Sequence, residues 1–130
     1  MAATYLDSSA IVKLAIAEPE SDALRRYLER RRPLVSSALA RTEVMRALLS
    51  EGEAALERGR AVLASLEMVR VNNRVLDAAG SLAPAHLRSL DAIHIATAQQ
   101  LGADLGCLVA YDERLLDAAQ QAGIATAAPR

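Results

Sequence analysis

A chain of 130 residues is long enough to form one domain with a core of its own, removing roughly two-thirds of its unfolded surface from water, so it needs no disulfide or metal staple to fold. The lone Cys107 excludes an intramolecular disulfide and any CxxC-type zinc or iron-sulfur site, and it reads as a small buried hydrophobe in a strand. A net charge of −1 argues against a uniformly basic nucleic-acid binder, and 52% hydrophobic residues with no Trp or Phe predict a core of Leu, Ile and Val between closely packed helices.

Short β-rich runs, each followed by a helical pattern, alternate along the chain. ATYL is the first strand, and SSAIVKLAIA after it is a helix ended by Glu18-Pro19. SDALRRYLERR is a second helix with Ala23, Leu24, Tyr27 and Leu28 on one face, stopped by Pro33. PLVS is a short strand. SALARTEVMRALLSEG then forms a helix with Leu48 and Leu49 apolar and Gly52 beyond its end, and EAALERGRAVLASL another, weakened by Gly59.

MVRV reads as the third strand, NRVLDAAGSLA as a helix, and Pro84 to Arg88 as a loop. LDAIHIATAQQL is the next helix, Gly102 to Gly106 a turn, CLVAY the fourth strand, DERLLDAAQQAG the last helix and IATA a short fifth strand. This alternation predicts an α/β fold with a parallel sheet and helices on both faces. With no repeat, low-complexity tract or linker, residues 1–130 are expected to form a single domain. No run nears the roughly 20 apolar residues needed to cross a bilayer, and no signal-peptide pattern opens the chain, so a soluble cytoplasmic protein without membrane contact is expected.

In open α/β sheets, ligands bind beyond the carboxyl ends of the strands. Asp7 follows the first strand and Asp112 the fourth; Asp91 opens the helix leading into the fourth strand, and Glu43 lies in the helix after the second. Right-handed crossovers allow all four to converge at that edge. Each also has a structural explanation. Asp7 and Asp112 suit helix N-caps, Asp91 suits the helix dipole, and Glu43 can pair with Arg46 at i+3.

If the four converge, they repel. Two carboxylates about 5 Å apart cost each other roughly 3 kcal/mol at an effective dielectric of ~20, so a cation is needed to keep all four ionised. An all-oxygen set suits Mg²⁺ or Mn²⁺ better than zinc. The chemistry such a site supports is in-line hydrolysis of a phosphodiester by an activated water.

YLDSSAIVK, ARTEV, LRSLDAIHIATA and VAYDERL, in this order and at these separations, resemble the PIN-domain nucleases and, within them, the VapC toxins of bacterial toxin-antitoxin pairs. The resemblance runs from Tyr5 to about Leu116. It implies a compact PIN-like domain with a four- or five-stranded parallel sheet and about seven helices. The activity implied is that of a Mg²⁺-dependent endoribonuclease held inactive by a VapB-type antitoxin. It also implies that Asp7, Glu43, Asp91 and Asp112 are the acidic quartet that binds metal and catalyses, that Ser9 helps order the site, and that the chain is a homodimer. One position departs from the pattern: Ala110 stands where the family often carries Thr or Ser, two residues before the last acid.

Setting the quartet aside leaves 12 acidic residues against 15 basic ones, an acidic pit on a mildly basic body able to hold RNA phosphates. The densest basic run, with Arg25, Arg26, Arg30, Arg31 and Arg32, reads as a solvated helix face aided by an Asp22–Arg26 pair rather than as an RNA contact. So few aromatics leave little room for base stacking. His94, three residues after Asp91, reads as a helix-face histidine bonded to a neighbour, and His86 as structural. A catalytically degenerate PIN domain that binds RNA or protein is the alternative, motivated by Ala110. An aspartyl phosphatase is disfavoured because Ser9 stands where its second Asp belongs.

Overall fold

The computed structural model describes residues 2–130. Five strands, β1 (Ala3–Leu6), β2 (Leu34–Ser37), β3 (Glu67–Val69), β4 (Leu105–Val109) and β5 (Thr126–Ala127), form one sheet in the order β3-β2-β1-β4-β5. Every pairing is parallel. The chain steps outward from β1 to β3, then returns to lay β4 on the other side of β1. That reversal opens a crevice beyond the carboxyl ends of β1 and β4.

Seven α-helices connect and cover the sheet: α1 (Ser8–Ala15), α2 (Ser21–Leu28), α3 (Ala40–Leu48), α4 (Glu53–Ala64), α5 (Asn73–Gly80), α6 (Ser89–Gln99) and α7 (Glu113–Gln121). Because both faces are covered, the four residues of β1 and of β2 are all buried. Side chains alternate between two apolar clusters. Leu6, Leu34 and Val109 pack with Ile11, Leu24, Val44 and Leu63 under α1 to α4, whereas Tyr5, Val35 and Leu108 pack with Ile95, Leu115 and Ala119 under α6 and α7.

The predicted elements are present, with ends shifted by a few residues. Leu105 and Gly106, expected in a turn, begin β4, and a 3-10 turn at Gly102–Asp104 precedes them. Leu48 is fully buried, but Leu49 is 56% exposed because the chain tightens there into a 3-10 turn, Leu49–Glu51, and loses the α-helical spacing. Gly59 has a packing reason: a Cβ at that position would collide with Leu48, so the glycine lets α4 cross close to α3. Asp22 pairs with Arg25 instead of Arg26, at 3.4 Å on the surface. Cys107 is half-buried in β4, its Sγ 3.5 Å from the Tyr27 hydroxyl. Among the described residues no helix is long and apolar enough to cross a membrane.

Candidate active site

The carboxyl edge of the sheet begins with Asp7. Its backbone N–H continues the β1–β4 pairing by donating to the Val109 carbonyl at 2.9 Å, and its side chain then caps α1. Oδ2 of Asp7 accepts from the Ser9 N–H at 3.2 Å and from the Ser9 hydroxyl at 2.7 Å. The same Ser9 oxygen accepts from the Tyr111 N–H at 3.0 Å, which ties the β4–α7 loop to the start of α1. Ser9 therefore orients Asp7 and joins the two strand ends at once. Asp7 is only 7% exposed, so those bonds act in a poorly hydrated place.

Glu43, in the first turn of α3, turns toward Asp7. Its Oε1 accepts from the Ser8 hydroxyl at 2.5 Å and from His94 Nε2 at 2.6 Å. The pairing with Arg46 expected from the i+3 spacing is not made, because these two partners engage the carboxylate instead. Burial acts against the Glu43 charge, yet the bonds from His94 and Ser8 outweigh it and hold the carboxyl below its ordinary pKa.

His94 is the hub. It is 1% exposed on α6, and Nδ1 shares a 2.7 Å hydrogen bond with the Tyr5 hydroxyl, while Nε2 bonds Glu43 and lies 3.5 Å from Asp7 Oδ1. Burial pushes the imidazole pKa down, but the Glu43 hydrogen bond and the charges of Asp7, Glu43 and Asp91 carry it above its ordinary value. Tyr5 is raised by burial and by the charges of Asp7 and Glu43, so its hydroxyl keeps its proton. The expectation of a neighbour-bonded helix histidine understated this residue. Its signal in the sequence was its place in the run AIHIA: a histidine enclosed by apolar neighbours on a buried helix must find polar partners, because an unpaired buried ring nitrogen is costly.

Asp91 stands apart from this network. It lies in the first turn of α6, half-exposed, with no hydrogen bond or ion pair to its carboxylate among the described residues. Burial raises its pKa first, then the charges of Asp112 and Asp7, against weaker opposition from His94 and Arg88. Asp112 is exposed and caps α7, its Oδ1 accepting from the N–H groups of Arg114 at 2.9 Å and Leu115 at 3.3 Å. Ala110 is fully buried among Ile95, Leu108 and Leu115. His86 is exposed.

Asp7 and Glu43 are thus joined through His94, and Asp91 feels Asp7 and Asp112 through space. Among the described residues no three His, Cys, Asp or Glu side chains close into a ready coordination shell. The donor chemistry nevertheless suits a hard cation: carboxylate oxygens gather at one edge, and their mutual repulsion is felt most at Asp91. A larger cavity of about 900 Å³, between α3, α4 and β3, has no carboxylate in its wall, so size does not mark this chemistry.

The PIN domain family model matches residues 4–121. The chain belongs to the PIN-domain family. It is 67% identical over 129 residues to the ribonuclease VapC46 of Mycobacterium tuberculosis (strain ATCC 25618 / H37Rv), covering 99% of each chain. Its fold is similar to that of M. tuberculosis VapC20, a sarcin-ricin loop cleaving toxin, with a TM-score of 0.77 at 16% identity over 97% of this chain and 99% of that one. A toxin-antitoxin complex from Klebsiella pneumoniae is also similar, with a TM-score of 0.67 at 22% identity, covering 84% of this chain and 86% of that one. The resemblance implied a parallel PIN sheet of four or five strands, and the sheet observed has five. Within this PIN domain the conspicuous carboxylates all stand at the carboxyl edge of the sheet.

Proposed function

We propose that this chain is a divalent-metal-dependent endoribonuclease, the toxin of a VapBC-type pair, with residues 1–130 forming one nuclease domain. The observation that carries the reading is the gathering of carboxylates at the β1–β4 edge of a chain closely related to a ribonuclease. Asp7, Glu43, Asp91 and Asp112 are the residues that would hold Mg²⁺ or Mn²⁺, whose chemistry when bound is to acidify a water and neutralise charge developing on a phosphodiester. The chain's own contribution is preorganisation. Ser9 fixes the Asp7 carboxylate, Ser8 and His94 fix Glu43, and Tyr5 holds the far side of the imidazole, so two acids are aimed before any ligand arrives. Asp91, with no side-chain partner among the described residues, is the acid left open to substrate and water.

Beside Asp91, Arg88 supplies positive charge suited to a flanking RNA phosphate. A cognate antitoxin would bring an Arg or Lys to the acids, since unpaired carboxylates bind a guanidinium strongly. The protein is read as cytoplasmic and as a homodimer by its resemblance to VapC toxins.

Purified chain should cut RNA with Mg²⁺ or Mn²⁺, lose that activity with EDTA, and lose it in folded Asp7→Asn and Asp91→Asn variants. Intact RNA in the presence of metal, or undiminished cleavage by either variant, sinks the reading. The alternative, a binding module without catalysis, draws little support from Ala110. That residue packs in the apolar cluster, and the link between the β4–α7 loop and Asp7 is already made by Ser9 and the Tyr111 N–H.

A further inference from the structure

A cavity of about 250 Å³ opens directly beside Asp91, between α7 and the loop that leads into α6. One wall is the exposed face of α7, where Arg114, Asp117 and Gln121 recur at i, i+3 and i+7 and so stand in a row. The opposite wall is the loop Pro84–Arg88, which offers Pro84 and Leu87 as apolar surface and His86 and Arg88 as polar side chains. Arg114 and Asp117 could have neutralised each other across one helical turn, yet the described ion pairs include neither, and both side chains remain exposed. A donor fork and an acceptor fork therefore face one small space.

The Arg114–Asp117 pairing is wrong for a phosphate, which Asp117 would repel, and right for the edge of a base. We infer that this cavity is a base-reading subsite selecting guanine next to the scissile phosphodiester, an inference that rests on the ribonuclease reading and deepens it. Guanine offers two neighbouring acceptors, O6 and N7, to the two-pronged Arg114 guanidinium. It also offers two neighbouring donors, N1–H and the N2 amino group, to the Asp117 carboxylate. Cytosine and adenine present a single amino group to the carboxylate, and uracil a single N–H, so each leaves one prong of the pair unused. Pro84 and Leu87 supply an apolar surface for the ring, consistent with a protein that has few aromatics to stack on. Single-stranded RNA, whose bases can be turned outward, is the form such a pocket reads.

The test measures binding and cleavage separately. Fluorescein-labelled uridine hexamers carrying one G, A or C at the third position, together with the all-uridine hexamer, are titrated against Asp7→Asn protein by fluorescence anisotropy. The same RNAs are given to the wild-type protein with Mn²⁺ and the cut ends mapped. The guanine hexamer should bind about tenfold or more tightly than the others. Arg114→Ala or Asp117→Asn, introduced into the Asp7→Asn chain and checked for folding by thermal melting, should bring that ratio close to one. Equal affinity for the four RNAs, preference for another base, or a guanine preference that neither substitution moves overturns the subsite. Guanine-selective binding by a wild-type chain that cuts nothing would retain the subsite and reject the nuclease. Cleavage indifferent to the base, with indifferent binding, would do the reverse.

Discussion

The four acids at the sheet edge divide into two unlike pairs. Asp7 and Glu43 are wrapped in hydrogen bonds from Ser9, Ser8 and His94, buried or partly so, and held in one orientation. Asp91 has no side-chain partner among the described residues, and the exposed Asp112 serves as a helix cap. The difference teaches how a repelling set of charges is kept in a fold. One pair is stabilised by the protein itself, and the repulsion that remains is felt at Asp91, which is half-exposed.

The sharpest way to break this division is through activity. Asp7→Asn and Asp91→Asn should each lower RNA cleavage by about 100-fold or more, as loss of a charge-stabilising group in a catalytic site does. The two should differ in stability. Asp7→Asn keeps an N-cap, whereas Asp91→Asn should raise the metal-free protein's stability by on the order of 0.5 kcal/mol, because solvent already screens much of the repulsion at a half-exposed site. Equal activity of Asp91→Asn and wild type would erase the distinction between held and open acids.

Next in size is the hub. His94→Ala should cost about 2–4 kcal/mol in chemical denaturation, leaving Tyr5 and Glu43 without their partner and opening a hole beside the sheet. It should also weaken divalent-metal binding by about 10- to 100-fold, measured by calorimetry, since it removes a group that orients a ligand. A stability change without a metal change would make the histidine purely structural. Adding Mn²⁺ at about 100 times its dissociation constant should stabilise the wild type by about 2.7 kcal/mol, and EDTA should reverse this. The same addition should leave Asp91→Asn much less stabilised.

The smallest effect belongs to the outermost acid. Asp112→Ala should lose about 1 kcal/mol as the α7 cap disappears, and Asp112→Asn should restore most of that stability but not activity. Restoration of both would reduce Asp112 to a cap.

Much of this arrangement was legible before any coordinates. ATYL-D places an acid immediately after a strand, and CLVAY-D places one just beyond β4, which ends at Val109, as the cap of α7; in a parallel α/β sheet both positions lie at the carboxyl edge. Local ion pairs were less legible. Glu43 and Arg46, and Asp22 and Arg26, have good helical spacing, but exposed pairs of this kind are worth only a few tenths of a kcal/mol and yield to better partners. Glu43 found Ser8 and His94, and Asp22 found Arg25. Gly59 looked like a helix weakness because propensity is a property of the isolated helix, whereas the approach of α3 is not.

The order of strands and helices, and the positions of Asp7, Asp91 and Asp112 at element ends, follow from local pattern, since hydrophobic period and strand termini are set by neighbours in the chain. The role of His94 was decided only by tertiary structure. Its partners Tyr5 and Glu43 lie 89 and 51 residues away, and only the β2-β1-β4 crossover brings a strand tyrosine and a glutamate from α3 to opposite nitrogens of one buried ring. Burial then made those bonds obligatory, because an imidazole shut away from water has no other partner to turn to.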